Sequence, residues 1–542
     1  MDNRRSTGIL RKKASKPAWW HTEENTTVSK RWRKAGGKGF RPSPGDSAGE
    51  PGPAPAAKPG YAGPLEPIDE CRWRIPKDYK PGMRVDGIIF ADETLLPSIE
   101  ADQAPEQVAN VAFLPGIQMA SLAMPDIHWG YGFCIGGVSA TDPAEGGVVS
   151  PGGVGYDINC GVRLMRTNLP ADEVQPRLEP LAEALFRAIP AGVGEGGPYT
   201  FRGKELARLL SEGPAYLRNL DLATDSDLEH TEARGCLEGA DPDALSPRAL
   251  ERGVDQCGTL GSGNHFLEVQ RVEEVFDPEA ARAMGVEPGG VCVMIHSGSR
   301  GLGYQVCDDA LKHLRNVPAK YGIELPDRQL VCAPVESPEG QRYLAAMRAA
   351  ANYAWANRQL LMWQAREAFA SFFGRSWQSL GMNLVYDVAH NIAKIEEHEV
   401  EGRPRRLCVH RKGATRAFPP GHPDVPERYR RIGQPVIIPG DMGRASWLLV
   451  GQPAAMQLSF GTTCHGAGRL LSRTAAIQRA RGRRIDRELA EVGVVARARS
   501  WQGLAEEQPE AYKDVSQVVE VVHRAGLARK VARLRPMCVI KG

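Results

Sequence analysis

The segment best suited to covalent chemistry is Ser459-Phe-Gly-Thr-Thr-Cys-His465-Gly-Ala-Gly-Arg469, in which a histidine precedes two glycines and an arginine. Glycine lets a phosphate approach the backbone closely, and an arginine guanidinium binds phosphate oxygens in a bidentate manner. A neutral imidazole held there could attack a phosphorus atom and carry a nucleotide covalently. Taken alone, the same residues also fit a glycine-rich turn with a histidine at the surface.

Further upstream, metal-type ligands occur in short segments beside glycine or asparagine. Asp157 and Cys160 are three positions apart, so one tight turn could aim a carboxylate and a thiolate at the same ion. Adding His265, His296 and His390 gives a mixed set of ligands, enough for one shared or two adjacent divalent cations with the thiolate as the bridge. Thiolate and imidazole suit zinc, while the carboxylate widens the choice to manganese or iron. Each histidine taken singly also fits a structural role.

Composition limits the class of protein. The chain has 542 residues, of which 42% are hydrophobic and 25% charged, as is usual for a soluble globular protein. No apolar run approaches the ~18 residues of a membrane span, and the N-terminus lacks a secretory signal pattern. The eleven cysteines include no Cys-x-x-Cys pair. We therefore expect a cytoplasmic protein with reduced thiols and no membrane association.

Basic residues are concentrated locally, although the formal net charge is only +3. Such a cluster is usually a solvated face, but several around a phosphate-handling loop favour a polyanionic substrate. The clusters cover residues 4–41, Arg403 to Arg416, Arg428 to Arg431, and Arg473 to Arg499.

The chain divides into two parts of unequal character. Residues 1–70 combine a basic start with a stretch rich in Pro, Gly, Ala and Ser from Pro42 to Pro67, and lack the large apolar residues of a core. This predicts a disordered extension, whose basic residues could add nucleic-acid affinity or be inert. Residues 71–542 are predicted to form one large catalytic domain.

Within that domain, short apolar segments alternate with glycine-rich turns, and the candidate ligands fall at strand ends or in the loops that follow. The lack of a simple β-α-β rhythm predicts an α+β fold of mixed sheets flanked by helices. Helices are predicted for residues 171–189, from Tyr343 to Phe373, and for 473–493, with a polar excursion over 220–250. Strands are predicted for Gly290 to His296, Met382 to Ala389, Leu407 to His410, Pro435 to Ile438 and Ser446 to Val450.

Several motifs, in matching order over residues 83–542, resemble the RNA-splicing ligase RtcB family. They begin with Met124-Pro-Asp126-Ile-His128-Trp-Gly-Tyr-Gly and continue through the Asp157/Cys160 turn. The remaining ones are Gly-Ser-Gly-Asn-His ending at His265, His-Ser-Gly-Ser-Arg-Gly from His296, Val409-His-Arg-Lys-Gly-Ala-Thr-Arg416, Ile438-Pro-Gly-Asp-Met-Gly443, the His465 segment, and Val539-Ile-Lys541-Gly542.

The resemblance implies a GTP- and Mn(II)-dependent ligase that joins RNA 3′-phosphate or 2′,3′-cyclic phosphate ends to 5′-hydroxyl ends. His465 would be the nucleophile that becomes guanylylated, leading to an RNA(3′)pp(5′)G intermediate. Two manganese ions would be held by Asp157, Cys160, His265, His296 and His390. The nucleotide contacts would be Asn264, His265, Phe266, Leu267, Glu268, His390, Asn391, Pro439, Gly440, Asp441, Met442, Ser446, His465, Gly466, Ala467, Gly468, Tyr512 and Lys541.

Some assignments are less specific. Asp126 is expected to act near the RNA end or the metals, and Glu268 to accept hydrogen bonds from the guanine edge. Arg300 and Arg469 are candidates for phosphate or RNA contacts, with a salt bridge near the loop as the alternative for each.

Other functions remain compatible with parts of the sequence. A metal-dependent phosphatase or nuclease acting on RNA ends explains the ligand set but leaves His465 and Lys541 without a role. A noncatalytic RNA-binding protein explains the basic clusters only. The sequence does not separate tRNA splicing from RNA repair, nor does it decide whether an archease-type activator is needed.

Overall fold

The computed structural model describes residues 60–542, which form one compact unit. Its first strand, Glu66–Asp69, lies within the segment that the sequence assigned to the extension. The described unit therefore includes residues 60–70, which precede the predicted start at Cys71. The rest of the predicted extension, residues 1–59, lies outside the described residues.

The strands, in chain order, are β1 (Glu66–Asp69), β2 (Arg72–Ile75), β3 (Asp86–Phe90), β4 (Ala120–His128), β5 (Ile135–Thr141), β6 (Val148–Val149), β7 (Gly161–Pro170), β8 (Phe266–Val275), β9 (Gly290–Ser297), β10 (Ala333–Pro334), β11 (Asn383–Ala389), β12 (Asn391–Val400), β13 (Arg403–Lys412), β14 (Ala414–Arg416), β15 (Pro435–Ile438), β16 (Ser446–Gly451), β17 (Thr462–Cys464), β18 (Val495–Ala498) and β19 (Ala528–Lys541).

The α-helices are α1 (Leu96–Glu100), α2 (Ala104–Val111), α3 (Ala171–Val174), α4 (Leu178–Ala188), α5 (Lys204–Glu212), α6 (Pro214–Arg218), α7 (Asp225–Glu229), α8 (Pro247–Gly253), α9 (Pro278–Met284), α10 (Arg300–His313), α11 (Val317–Lys320), α12 (Pro338–Phe373), α13 (Pro453–Ser459), α14 (Arg473–Arg479), α15 (Ile485–Glu491), α16 (Trp501–Glu506) and α17 (Val515–Arg524).

Two large sheets organise the fold. The first has the order β1-β2-β3-β4-β5-β13-β12, and the second has the order β11-β7-β9-β8-β19-β16-β15 with β18 added beside β19. Most neighbours are antiparallel; β3 with β4 and β18 with β19 are parallel pairs. Short ribbons, β6 with β10 and β14 with β17, complete the pairing. These mixed sheets with surrounding helices confirm the predicted α+β class.

The sequence of strand β9 is a nearly continuous run of apolar residues, and the packing of the strand explains why. Val293 and Ile295 belong to a core shared with α4 and α12, whereas Cys292 and Met294 belong to a core on the opposite face. Because side chains alternate between the two faces of a strand, both faces of this strand are buried. His296, two residues after Met294, lies on the same face of the strand as Met294.

The long helix α12 begins before the predicted Tyr343. The Ser337 hydroxyl caps the helix by accepting from the Gly340 N–H, Pro338 fits the first turn, and Gly374 ends the helix in a left-handed conformation. The other predicted helices are each interrupted: residues 171–189 hold α3 and α4, and 473–493 hold α14 and α15. The predicted strands are all present, with small shifts at their ends.

Carboxylates neutralise part of the apparent basic charge, some in the interior and some at the surface. Arg411 forms a buried bidentate ion pair with Glu396 at 2.7 and 2.8 Å, and Arg416 is buried beside Glu232. In the last cluster, several arginines pair with carboxylates of the same region. The expectation that a basic cluster forms a solvated face is therefore wrong for Arg411 and Arg416, which are buried. Over residues 60–542, no helix combines the length and apolarity needed to cross a membrane.

Candidate active site

The predicted ligands meet because successive strands of the second sheet deliver them to one edge. In the order β11-β7-β9-β8, His390 follows β11, Cys160 precedes β7, His296 lies near the end of β9, and His265 precedes β8. Since these neighbours run antiparallel, the end of one strand lies beside the start of the next. Residues scattered along the chain therefore converge at a single edge.

The register extends this row to the C-terminus. Phe266 pairs with His296 on one side and with Lys541 on the other. The Lys541 ammonium consequently lies 5.8 Å from the centre of the Phe266 ring. The penultimate residue of the chain is thus a component of the same cleft, because β19 is the neighbour of β8.

Ligand atoms converge in two groups that share one thiol. Cys160, His296 and His390 form the first group, and Asp157, Cys160 and His265 form the second, with all ligand atoms of each group within 4.8 Å of one another. Cys160 Sγ lies 3.4 Å from His265 Nε2 and 3.3 Å from His296 Nε2. Each group could hold a cation, and Cys160 is available to both groups.

The histidine tautomers favour metal binding. Nδ1 of His265 donates to the Leu260 carbonyl at 3.0 Å, and Nδ1 of His296 donates to the Asn264 carbonyl at 3.1 Å. This leaves each Nε2 with a lone pair directed at the cluster. Burial lowers the pKa of His296 and His390 well below the usual value, so both rings stay neutral. Burial and the nearby Asp157 raise the pKa of the Cys160 thiol, and a cation would supply the positive charge that stabilises its thiolate.

A buried arginine fixes the backbone around these ligands. Arg358, on α12, donates to the Asn159 carbonyl at 2.7 Å and to the Ser297 carbonyl at 2.9 Å. It also forms a bidentate ion pair with Asp387 at 2.9 and 2.8 Å, and Asp387 accepts from Arg163 as well. One guanidinium thereby ties together the turn before β7, the end of β9 and the strand that leads to His390.

Two glycines are required by close approach. At Gly298, an added Cβ would lie 2.2 Å from an Asp157 carboxylate oxygen. At Gly468, which has φ of 75°, an added Cβ would lie 2.3 Å from the Asp126 carbonyl oxygen. A side chain at either position would displace a functional carboxylate or its backbone.

His465 is held against a buried carboxylate. Its Nδ1 donates to Asp126 Oδ2 at 2.5 Å, and the same oxygen accepts from the backbone N–H groups of His465 and Gly466. Burial alone would raise the pKa of Asp126, but the charge and hydrogen bond of His465 outweigh it and hold the pKa below its usual range. Asp126, expected near the RNA end or the metals, contacts His465, whose ring centre lies 4.9 Å from that of the candidate metal ligand His390.

A short ribbon brings His465 to the metal ligands. Strand β17 ends at Cys464, and Cys464 pairs with Ala414 of β14, whose N–H donates to the His390 carbonyl at 3.1 Å. The rings of His390 and His465 are 4.9 Å apart between centres. His465 and the candidate metal ligands therefore face the same small volume.

The cleft beside His465 and the candidate metal ligands is lined by most of the residues predicted to bind metal or nucleotide. Leu267 is an exception, because its side chain lies on the opposite face of β8 in the α4/α12 core. Ser446 is buried behind the turn, where its hydroxyl accepts from Gln270 at 3.1 Å and from the Gly440 N–H at 3.3 Å. The predicted residues that line the cleft are Asp157, Cys160, Asn264, Phe266, Glu268, His296, His390, Asn391, Pro439, Gly440, Asp441, Met442, His465, Gly466, Ala467, Gly468, Tyr512 and Lys541.

The far wall of the cleft, formed by Glu268, Glu507, Tyr512 and Lys541, carries several interacting charges. Burial raises the pKa of Glu268 to about 8, although Gln270 and Lys541 oppose the shift. Burial lowers the pKa of Lys541, against the attraction of Glu507 and Glu268. Glu507 lies 3.8 Å from the Lys541 ammonium and accepts a hydrogen bond from the Tyr512 hydroxyl. A polar ligand with donors on one edge would match these carboxylates.

Sequence reasoning missed several cleft residues. Glu507 and Arg473 line the cleft but belong to none of the motifs, and His128 lies within a motif but was given no role. Lys513 was also missed; its ammonium donates to the carbonyls of Pro125 and Ile127 on either side of Asp126, at 3.1 and 2.8 Å. Such backbone contacts leave no signal in a sequence.

The two arginine candidates differ in their surroundings. Arg469 is fully engaged: it donates to Glu507 at 3.0 Å, to the Tyr512 hydroxyl at 2.9 Å and to the Glu506 carbonyl at 2.7 Å. The salt-bridge alternative therefore describes Arg469. Arg300 donates to the Thr259 hydroxyl at 3.2 Å and lies beside Gly261, with no carboxylate bonded to it within the described residues.

Comparison with known proteins identifies the family. The family described as tRNA-splicing ligase RtcB matches residues 107–542. The chain belongs to the RtcB family. The RtcB named tRNA-splicing ligase from Thermococcus kodakarensis is 54% identical over 479 residues, covering 88% of this chain and 99% of that protein. The RtcB from Archaeoglobus fulgidus is 55% identical over 478 residues, with the same coverage of 88% and 99%.

A bacterial relative has the same kind of name. The RNA-splicing ligase RtcB from Mycobacterium tuberculosis is 53% identical over 438 residues, covering 80% of this chain and all of that protein, 100%. The resemblance to RtcB read from the motifs is confirmed, and with it the prediction of an enzyme of the RNA ligase class.

Proposed function

We propose that the protein joins RNA 3′-phosphate or 2′,3′-cyclic phosphate ends to 5′-hydroxyl ends, using GTP and a covalent GMP–His465 intermediate. The relatives named tRNA-splicing ligases support tRNA as one substrate. The observation that carries the proposal is the contact between His465 Nδ1 and Asp126 at 2.5 Å. The contact holds a histidine outside the two metal-ligand groups with Nε2 free to attack a phosphorus atom.

The donor set fits a pair of Mn(II) ions, which the family resemblance favours over zinc. Asp157, Cys160 and His265 would hold one ion, and Cys160, His296 and His390 the other. When bound, such ions neutralise charge that develops on phosphate oxygens and activate water for opening a cyclic phosphate. Two features of the protein support this assignment: each group has three convergent ligand atoms, and His265 and His296 each have Nδ1 bound to a backbone carbonyl.

His465 would act through Nε2, because Nδ1 keeps its proton, which is hydrogen-bonded to the Asp126 carboxylate. Nε2 attacks the α-phosphorus of GTP, the P–N bond forms, and pyrophosphate leaves. Asp126 stabilises the positive charge that the ring gains in this step. The oriented ring and the carboxylate thus divide the roles of nucleophile and positioning group.

The guanine would be read at the far wall. The carboxylate of Glu268 accepts from the N–H edge of guanine, which favours GTP over ATP. Phe266, Met442 and Tyr512 supply apolar surface around the base, and Lys541 is available for the ribose or phosphate. All of these residues line the same cleft as His465.

Two transfers complete the reaction. An oxygen of the RNA 3′-phosphate attacks the phosphorus of GMP–His465, the P–N bond breaks, and RNA(3′)pp(5′)G forms. The 5′-hydroxyl of the second RNA end then attacks the 3′-phosphate, loses its proton, and GMP leaves. We propose a cytoplasmic location for this activity, in tRNA splicing, RNA repair or both. Adding an archease-type protein to the ligation assay tests whether such a partner activates the enzyme.

The deciding experiment is labelling of the purified protein with α-labelled GTP and Mn(II), followed by a denaturing gel and acid treatment. We expect an acid-labile label on the parent protein that is lost in His465→Ala. Release of phosphate from RNA ends without any label, in folded and metal-loaded protein, would support the phosphatase or nuclease alternative. Ligation of 3′-phosphate and 5′-hydroxyl oligonucleotides then checks the complete reaction.

A further inference from the structure

Three tyrosines form a row beside the metal-ligand loop, and the proposed reaction gives them no role. The rings of Tyr156 and Tyr304 are stacked, with centres 4.9 Å apart and planes at 25°. Tyr131 meets Tyr156 edge-on at 5.9 Å. Tyr304, on α10, is 48% exposed, and within residues 60–542 none of the three hydroxyls has a hydrogen-bond partner. Apolar ring surface with free hydroxyls at the protein surface is typical of a binding site.

The row is continuous with the active site at two points. Tyr156 immediately precedes the metal ligand Asp157. Tyr131 belongs to the same motif as Asp126, and the Tyr131 carbonyl accepts a hydrogen bond from the buried Lys412 ammonium at 2.6 Å. A molecule lying along these rings would therefore enter the cleft close to the metal ligands.

Charges of both signs lie beside the row, and one guanidinium there is available to a polyanion. The Arg252 guanidinium lies 5.5 Å from the centre of the Tyr304 ring, and within the described residues it has no carboxylate partner. Its one hydrogen bond there goes to the Gln305 side-chain oxygen, at 3.2 Å. The nearby carboxylate of Asp308 is neutralised by Lys312 at 2.6 Å. Aromatic faces with an available guanidinium match unpaired bases and a phosphate.

We propose that Tyr131, Tyr156 and Tyr304 form a stacking surface for unpaired bases of the RNA strand that leads into the cleft, with Arg252 on its phosphates. This inference rests on the proposed function, since it takes the RNA substrate to be the occupant. It adds a substrate-binding surface outside the metal, nucleotide and nucleophile positions. Because bases of every kind have an aromatic face, the surface would bind RNA with little sequence preference.

The test measures RNA binding separately from guanylylation. The full-length Tyr304→Leu variant should bind a single-stranded RNA with a 5′-hydroxyl end at least about 5-fold more weakly than the parent, by fluorescence anisotropy. Labelling of His465 with GTP in the absence of RNA should be unchanged. Tyr304→Trp, which keeps an aromatic face, should retain the parent affinity. An abasic oligonucleotide of equal length should bind the parent and Tyr304→Leu equally.

The control is Phe276→Leu, another exposed aromatic side chain, 42% accessible, packed near Trp447 instead. It should leave RNA binding unchanged. Equal RNA affinity of the parent and Tyr304→Leu would overturn the inference. Equal RNA affinity combined with lost stimulation by a protein activator would also overturn it, and would assign the row to a protein partner. Absence of GMP labelling in the parent would count against the proposed function only, because RNA affinity is measured independently.

Discussion

One oxygen of Asp126 accepts three hydrogen bonds from the segment that carries His465. Oδ2 contacts Nδ1 of the ring at 2.5 Å, the N–H of His465 at 3.0 Å and the N–H of Gly466 at 3.2 Å. The carboxylate therefore fixes both the ring orientation and the backbone on which the ring is mounted. It also selects the tautomer in which Nε2 has the lone pair.

Replacing Asp126 by Asn should test this arrangement. The amide is nearly the same size but cannot stabilise the imidazolium, so we expect formation of GMP–His465 to slow by about 100-fold or more. The measurement is the single-turnover rate of labelling with GTP, with metal content determined in parallel. Unchanged metal content with slow labelling supports a positioning role, whereas loss of metal would indicate that Asp126 belongs to the metal site.

Replacing Cys160 by Ser should weaken binding of both ions, because Cys160 belongs to both ligand groups. We expect the metal content of the purified protein, measured by elemental analysis, to fall for both sites. His265→Gln should affect one site more than the other. Cys236→Ser, at a half-buried thiol whose hydrogen bond goes to the Ser211 carbonyl, is the matched control and should keep its metal. Retention of both ions in Cys160→Ser would contradict the bridging role.

Lys541→Met should weaken GTP binding while leaving the metals in place. The ammonium is buried beside Phe266 and Glu507, so its removal takes positive charge from the nucleotide cleft. We expect the Kd for GTP to rise by about 10-fold or more, as for loss of a hydrogen bond to a charged group. Lys530→Met, on the same strand but paired with Glu520, controls for a general effect on β19. Equal GTP affinity in both variants would remove Lys541 from the nucleotide site.

Glu268 should make GTP binding and stability depend on pH. Burial raises its pKa to about 8, whereas guanine binding needs the carboxylate. GTP affinity should therefore increase as the pH rises toward 8, by up to about tenfold per pH unit, and then level off. Titration calorimetry across this range, with Glu268→Gln as the comparison, measures the effect. A parent profile as flat as that of Glu268→Gln would contradict it.

The same group has a predictable effect on folding. Its pKa is raised in the folded state, so its contribution to stability is complete below the unfolded value near 4.5 and is lost as the pH rises through about 8. The free energy of unfolding in urea should thus fall less between pH ~6 and ~9 in Glu268→Gln than in the parent. An identical fall in both proteins would show that other groups dominate.

Asp387→Asn should destabilise the protein strongly, because it leaves Arg163 and Arg358 buried without a countercharge. The expected cost is about 3–5 kcal/mol. Chemical denaturation measures this cost, and metal content reports whether the ligands also shift, since Arg358 holds the backbone at Asn159 and Ser297. Asp225→Asn, at an exposed pair with Arg218, should change stability by less than about 1 kcal/mol.

The sequence indicated the fold class and much of the site for identifiable reasons. Alternating apolar runs and glycine turns predict strands, and the alanine-rich stretch from Tyr343 to Phe373 predicts most of α12, because these signals are local. Strand Pro435–Ile438 has the predicted bounds, whereas residues 171–189 were predicted as one helix and contain α3 and α4. The ends of helices and strands depend on capping and packing contacts, which the identities of adjacent residues predict poorly.

The sequence alone determined which residue types are available for chemistry: a histidine in a glycine-rich loop, and candidate thiolate, carboxylate and imidazole ligands at strand ends. Only the tertiary structure decided which of them meet. The antiparallel register places Lys541 beside Phe266, and Asp126 contacts His465 across 339 positions of chain. The tertiary structure also places the Leu267 side chain in the core and buries Arg411 in an ion pair with Glu396. Sheet register and burial arise from contacts between distant segments, and no local pattern records them.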